Sequence, residues 1–192
     1  MMRMIAPALL LLAAGPAMAH VGPGAHGSVA TGLLHPLSGL DHILAMVAVG
    51  LWASLIGGRA LWIAPAAFVG AMVAGYALGV AGLPLPMVEP MILASTVVLG
   101  LAAAAALRIG LVPAAAAIAA FGLFHGHAHG GELGEAGALR FGLGFVLATA
   151  MLHLAGIGLG LGLKQVSARH GNTIARIAGG VIALAGLSLA LG

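Results

Sequence analysis

The sequence predicts an all-α integral membrane protein: a cleavable signal peptide followed by a six-transmembrane-helix bundle, with the mature N-terminus outside. Three observations predict it. Hydrophobic residues fill 62% of the 192 positions and charged residues only 6%, and the mean hydropathy is +1.18. A soluble domain of this size could not cover such a core with so little polar surface. Apolar stretches able to cross ~30 Å of hydrocarbon follow one another with short breaks. The chain also opens on a basic, then apolar, then small-residue pattern.

Residues 1–19 carry that pattern. Arg3 gives a positive start, 5–14 an apolar core and Ala17-Met18-Ala19 an A-x-A cleavage site. An uncleaved first helix is the competing reading, weakened by a short apolar core that Pro7, Gly15 and Pro16 interrupt. Cleavage leaves a single transmembrane domain, 20–192, that begins at His20. A Gly-rich tail over 20–32 follows, and then six spans near 33–56, 60–82, 87–107, 109–124, 138–163 and 172–191. Each is close to the ~20 residues that a helical crossing needs. The breaks are Gly57-Gly58-Arg59, Leu83-Pro84-Leu85-Pro86, Arg108, the His/Gly/Glu segment 125–137, and 164–171.

Basic residues set the orientation. With the N-terminus outside, Arg59, Arg108, Lys164, Arg169 and Arg176 fall on the cytoplasmic side and Arg140 alone falls outside. The net charge of +3 is small and scattered, which argues against a nucleic-acid partner; the lipid bilayer is the partner that composition demands. The absence of cysteine excludes disulfides and thiolate metal sites. Small-xxx-small pairs such as Gly75/Gly79, Gly156/Gly160 and Gly158/Gly162 allow helices to approach closely. The run 156–162 lacks G-x-G-x-x-G spacing and lies in an apolar span, so it is a packing surface rather than a nucleotide loop.

Polar side chains are few, and most fall in two strings: His35-Pro36-Leu37-Ser38-Gly39-Leu40-Asp41-His42, and His125-Gly126-His127-Ala128-His129-Gly130-Gly131-Glu132. Ionisable groups at membrane depth are costly and mark sites or pathways. On the six-span topology His35, Asp41 and His42 begin span one from outside, and their spacing puts both histidines near one helix face. Glu89 begins span three, while His125, His127, His129 and Glu132 close span four. Three outer ends thus bring imidazole and carboxylate to one level. Several imidazoles with up to three carboxylates suit Ni, Co or Zn. The scattered methionines, among them Met46, Met72 and Met151, read as apolar filling.

The burial cost of a charge favours a functional role for Asp41, His42 and Glu89. His127 stays open, because alternate histidines in an irregular loop need not face one way. His153, in the middle of span five, is either a second metal contact or a buried histidine bonded to a backbone carbonyl. His20, at the new N-terminus, and His26 read as collectors of metal on the mobile-looking tail. Ser38-Gly39 lacks the first glycine of an intramembrane protease motif.

Residues 35–46 resemble the H-P-x-x-G-x-D-H-x-x-x-M motif of the HupE/UreJ nickel permeases, and 124–132 are similar to that family's F-H-G-x-A-H-G-x-E motif. Neither shows a departure. The resemblance covers essentially the whole chain. It implies a bacterial inner-membrane protein that takes up Ni²⁺, or in some members Co²⁺, for hydrogenase or urease maturation, and it puts weight on His35, Asp41, His42, His125, His129 and Glu132. The metal is then a transported substrate, with no permanently bound cofactor and no enzymatic activity. A histidine-ligated membrane metalloenzyme and a metal-delivery or sensor partner are the alternatives. Homo-oligomerisation stays open, as does nickel against cobalt.

Overall fold

A computed structural model describes residues 27–133, 137–167 and 169–192. The proposed signal peptide and the tail histidines His20 and His26 lie outside the described residues. Seven helices are described: α1 (Val29–Ser38), α2 (Leu40–Ile56), α3 (Ala60–Val80), α4 (Val88–Ala104), α5 (Leu111–Leu133), α6 (Ala138–Val166) and α7 (Gly171–Leu191). No strand occurs among the described residues. Helices α3, α6 and α7, with 111–131 of α5, are long and apolar enough to cross a membrane. Helices α1 and α2 together pass the same test, but they meet at 86°. Helix α4 is apolar and shorter, at 17 residues.

The expected first span is therefore two helices. Ser28 starts α1 with a capping box: its Oγ accepts the Thr31 N–H and the Thr31 Oγ1 accepts the Ser28 N–H, each at 3.1 Å. The helix stops at Gly39, which is extended at φ −97° and ψ 118°. A Cβ built there would meet the side chains of Asp41 and His42, so the break folds tightly over the first turn of α2. Hydropathy could not reveal this, because it counts apolar residues and is blind to chain direction.

Helix α2 is the centre of the bundle and packs on α3, α4, α6 and α7. Ala45, Met46, Ala48, Val49, Leu51, Trp52, Ala53 and Leu55 are all buried, as expected of a helix apolar all round. The largest seam joins α3 to α5. Gly122, Gly126 and Gly130 of α5 lie against the carbonyls of Phe68, Met72 and Tyr76, where a Cβ would collide with backbone. This three-glycine row complements Gly75 and Gly79 of α3, which face α5 in return. Gly156 and Gly160 likewise seat α6 on α2, whereas Gly158 and Gly162 face open space.

The other correction concerns the second polar string. The expected break over 125–137 is helical as far as Leu133. Gly126 and Gly130 in it serve the seam with α3, so packing outweighs their poor helix propensity. At the opposite end of the bundle, basic side chains close helix C-termini. Lys164 Nζ donates to the Ser54 carbonyl at 2.5 Å, and Arg176 Nε donates to the Ala104 carbonyl at 2.8 Å. Cations there complement the negative ends of the helix dipoles of α2 and α4.

Candidate metal site

Because α5 continues through the second string, the i, i+4 rule applies to it. His125 and His129 share one face, and His127 points elsewhere. The His127 Nε2–H donates to the Leu83 carbonyl at 2.7 Å, on the connection between α3 and α4. His127 thereby ties α5 to that turn and stands outside the imidazole group.

Four imidazoles do meet. His35 of α1 packs edge-on against His129, with ring centroids 4.4 Å apart. His42 of α2 lies 4.7 Å from His129 and 4.8 Å from His125. His42, His125 and His129 are buried, and His35 is half-buried. Phe141 and Phe145 of α6 pack on His35 and His129, and Phe68 of α3 packs on His125. These rings wall the group with apolar surface, so interactions inside it are little screened by water. Since α1 and α2 diverge at Gly39, His35 and His42 do not share a helix face as expected. They reach His129 from two directions.

The hydrogen bonds assign the protons. Asp41 Oδ1 accepts both the His42 backbone N–H and the His42 Nδ1–H, each at 2.9 Å. His42 Nε2 is then the acceptor, and it lies 2.6 Å from His129 Nε2, which donates to it. Thr96 Oγ1–H donates to the Asp41 carbonyl at 3.1 Å, fixing this turn on α4. Ser95 Oγ–H donates to the Ile92 carbonyl at 2.5 Å, so its oxygen accepts the His125 Nε2–H at 2.9 Å. That leaves His125 Nδ1 bare, buried and without a partner among the described residues.

Such an arrangement can exchange a proton for a metal. The His42 and His129 Nε2 atoms already point at each other. Two nitrogens that share a metal at ~2.1 Å each stand about 3 Å or more apart, so the pair needs only a small opening. Asp41 holds His42 in the required tautomer, as carboxylates do behind metal-ligating histidines. Among the described residues no three His, Asp or Glu side chains form a finished metal cage. The imidazoles are gathered, with His42 bonded to Asp41 and His129 and with His125 bonded to Ser95.

The remaining candidates divide. Glu89 is exposed in the first turn of α4, where a carboxylate suits the helix dipole. Its exposed charge carries no burial cost, and it makes no described hydrogen bond or ion pair with the imidazoles. Glu132 lies in the last turn of α5, and its side chain is outside the described residues. His153 is fully buried on α6, and neither ring nitrogen has a hydrogen-bond partner among the described residues; the expected bond to a backbone carbonyl is not found there. Each such orphaned group costs about 1–3 kcal/mol. Ser95 and Thr96 went unnoticed in the sequence. The signal was there: two adjacent hydroxyl residues inside an otherwise apolar span.

Helices of spanning length around a walled set of imidazoles and one carboxylate define a class, the multi-pass helical membrane protein with a buried polar cluster. Comparison with known proteins narrows this. Residues 8–189 match the family model described as HupE / UreJ protein. Protein HupE of Rhizobium leguminosarum bv. viciae is 50% identical over 177 residues, which cover 92% of this chain and 91% of that relative. This chain belongs to the HupE / UreJ family. No solved structure matches it.

Proposed function

We propose that the protein carries Ni²⁺ or Co²⁺ inward across the bacterial inner membrane and so supplies metal for hydrogenase or urease maturation. The carrying observation is the meeting of His35, His42, His125 and His129, drawn from three helices, with Asp41 behind His42. Neutral imidazole backed by carboxylate is a ligand set for borderline divalent ions. The broken helix beside it adds support. Irregular backbone at membrane depth is tolerated where protein buries it or where it lines a cavity, and transporters place ion sites at such breaks. Membership of the HupE / UreJ family supports the same cargo and argues against an enzyme.

The topology that serves this function has six crossings, with α1 and α2 forming one broken crossing and α4 a short one. A cleaved signal peptide puts the mature N-terminus on the outside, and the imidazole end of the bundle then faces outward. Lys164 and Arg176 close the cytoplasmic end, in line with the positive-inside rule. Inward movement of a divalent cation gains about 4.6 kcal/mol per 100 mV, twice the single-charge value. That gain can drive accumulation without a second coupling ion.

The test is uptake of radiolabelled Ni²⁺ or Co²⁺ by proteoliposomes that contain only this protein, under an inside-negative potential. Accumulation above empty vesicles is expected. No accumulation by correctly inserted, folded protein would end the transport reading.

A further inference from the structure

His153 occupies the middle of α6, about 22 Å from the start of that helix. Its relative exposure is 0%. Neither Nδ1 nor Nε2 has a hydrogen-bond partner among the described residues. In either neutral tautomer one nitrogen therefore presents a bare lone pair to the protein interior. The residue is fixed in place, since a Cβ on Gly50 of α2 would strike the His153 carbonyl. Backbone of α2 and α6 is in close contact here, and it admits no slack.

Its surroundings connect it to the outer group. Phe68 packs on His125 with ring centroids 5.4 Å apart, and it meets His153 edge-on at 5.0 Å. One aromatic ring thus separates the innermost imidazole of the outer group from His153. Thr149 lies one turn before His153 on the same face of α6, and its Oγ1–H donates to the Met72 Sδ at 3.5 Å. A nitrogen, a hydroxyl oxygen and a thioether sulfur therefore line the same stretch of the interior.

We propose that His153, with Thr149 and Met72, is a second, inner stop for the divalent cation, receiving it from His125 across the edge of Phe68. The inference rests on the transport reading. A cation stripped of water at mid-membrane is very costly unless ligands replace its shell. Conduction also needs sites that bind well enough to enter and weakly enough to leave. The donor sets fall in that order. The outer group holds several imidazoles and the Asp41 carboxylate, whereas the inner one holds a single imidazole with neutral oxygen and sulfur donors. The inner stop is thus the weaker, and the ion is released inward rather than trapped.

A purely structural histidine makes the opposite forecast. Replacing a buried group whose polar atoms lack partners by an apolar one of similar size is neutral or stabilising. His153→Phe and His153→Leu separate the two. For each, three quantities are measured on the full chain: thermal stability in detergent, equilibrium Ni²⁺ binding, and Ni²⁺ uptake into proteoliposomes. The inner stop predicts retained folding and retained binding at the outer group. It also predicts uptake lowered by about tenfold or more, since even an outer-shell partner of a metal ligand is worth that much. Wild-type uptake by either folded variant overturns the proposal. If neither variant inserts, Met72→Leu decides, because it conserves volume and removes the sulfur. Slowed uptake with unchanged outer binding then supports the inner stop, and wild-type uptake overturns it. Wild-type protein that moves no Ni²⁺ removes the transport reading and this stop together. Wild-type transport with undiminished transport by His153→Phe removes the stop alone.

Discussion

Asp41→Asn is the most informative single change, because one oxygen of that carboxylate does three things. Oδ1 accepts the His42 backbone N–H and the His42 Nδ1–H, each at 2.9 Å. It also supplies the acid in the first turn of α2, whose N-cap Gly39 offers no side-chain cap. The amide that replaces it keeps the size but loses the charge. His42 is then free to take the other tautomer, with Nε2 protonated and no lone pair for a metal. Loss of the partner behind a metal-ligating histidine weakens affinity or activity by about 10- to 100-fold, or roughly 1.4–2.8 kcal/mol. The uncompensated helix N-terminus adds about 0.3–1 kcal/mol against an approaching cation. Half-saturation for metal should therefore rise by at least about tenfold, with normal membrane insertion. The assay is radiolabelled Ni²⁺ uptake by proteoliposomes at fixed membrane potential, over a range of metal concentrations. A curve unchanged from wild type, in verified, inserted protein, would refute a role for Asp41 in the site.

Proton competition gives a second expectation. Imidazole binds metal only when neutral, and its unperturbed pKa is ~6.5, so uptake should fall as external pH drops from about 6.5 to 5.5. A flat profile at constant potential would count against capture by histidine. On α5, His129→Ala should abolish high-affinity uptake, whereas His127→Ala should leave it intact and cost about 1 kcal/mol for the lost bond to the Leu83 carbonyl; equal loss of uptake in both would contradict the division of that face. For the α3–α5 seam, Gly126→Ala forces a Cβ into the Met72 carbonyl and should lower stability by about 1–3 kcal/mol. Gly158→Ala meets open space and should be neutral or slightly stabilising in the same thermal melt.

Much of this was legible in the sequence, because membrane helices must satisfy their backbone internally and so announce themselves as long apolar runs. Helices α3, α6 and α7 fall within three residues of the expected limits. The misreadings came where one signal had two meanings. Glycine in 125–133 reads as a break on propensity, yet Gly126 and Gly130 are there to bring α5 against α3. Reading them as loop left the direction of each histidine undetermined; reading them as a packed helix puts His125 and His129 together and sends His127 away. Glu89 shows the reverse error. A carboxylate in a hydropathic stretch reads as buried, but Glu89 is exposed in the first turn of α4, where the helix dipole favours it without a partner. Ser95 and Thr96 form an adjacent hydroxyl pair in an apolar span, a weak signal because such small residues also serve helix packing.

The break at Gly39 is what unites these observations. In a straight helix, His35 and His42 would stack two turns apart on one face, about 10 Å along the axis, and both could not touch one imidazole of α5. Turning the chain by 86° between them brings His35 and His42 to His129 from different sides, at 4.4 and 4.7 Å. The same turn creates a helix N-terminus within the bundle, and its positive end would repel a cation. Asp41 stands in that first turn and offsets it, while its hydrogen bond selects the tautomer of His42. Break, carboxylate and histidine are thus one device: the break supplies the convergence and makes the carboxylate necessary. A residue that straightened the junction should scatter the imidazoles even with every ligand retained. Gly39→Ala does so by placing a Cβ against Asp41 and His42. It should weaken Ni²⁺ uptake as much as Asp41→Asn does, through displacement of His35 and His42. Wild-type uptake by Gly39→Ala would show that the angle between α1 and α2 does not set the site.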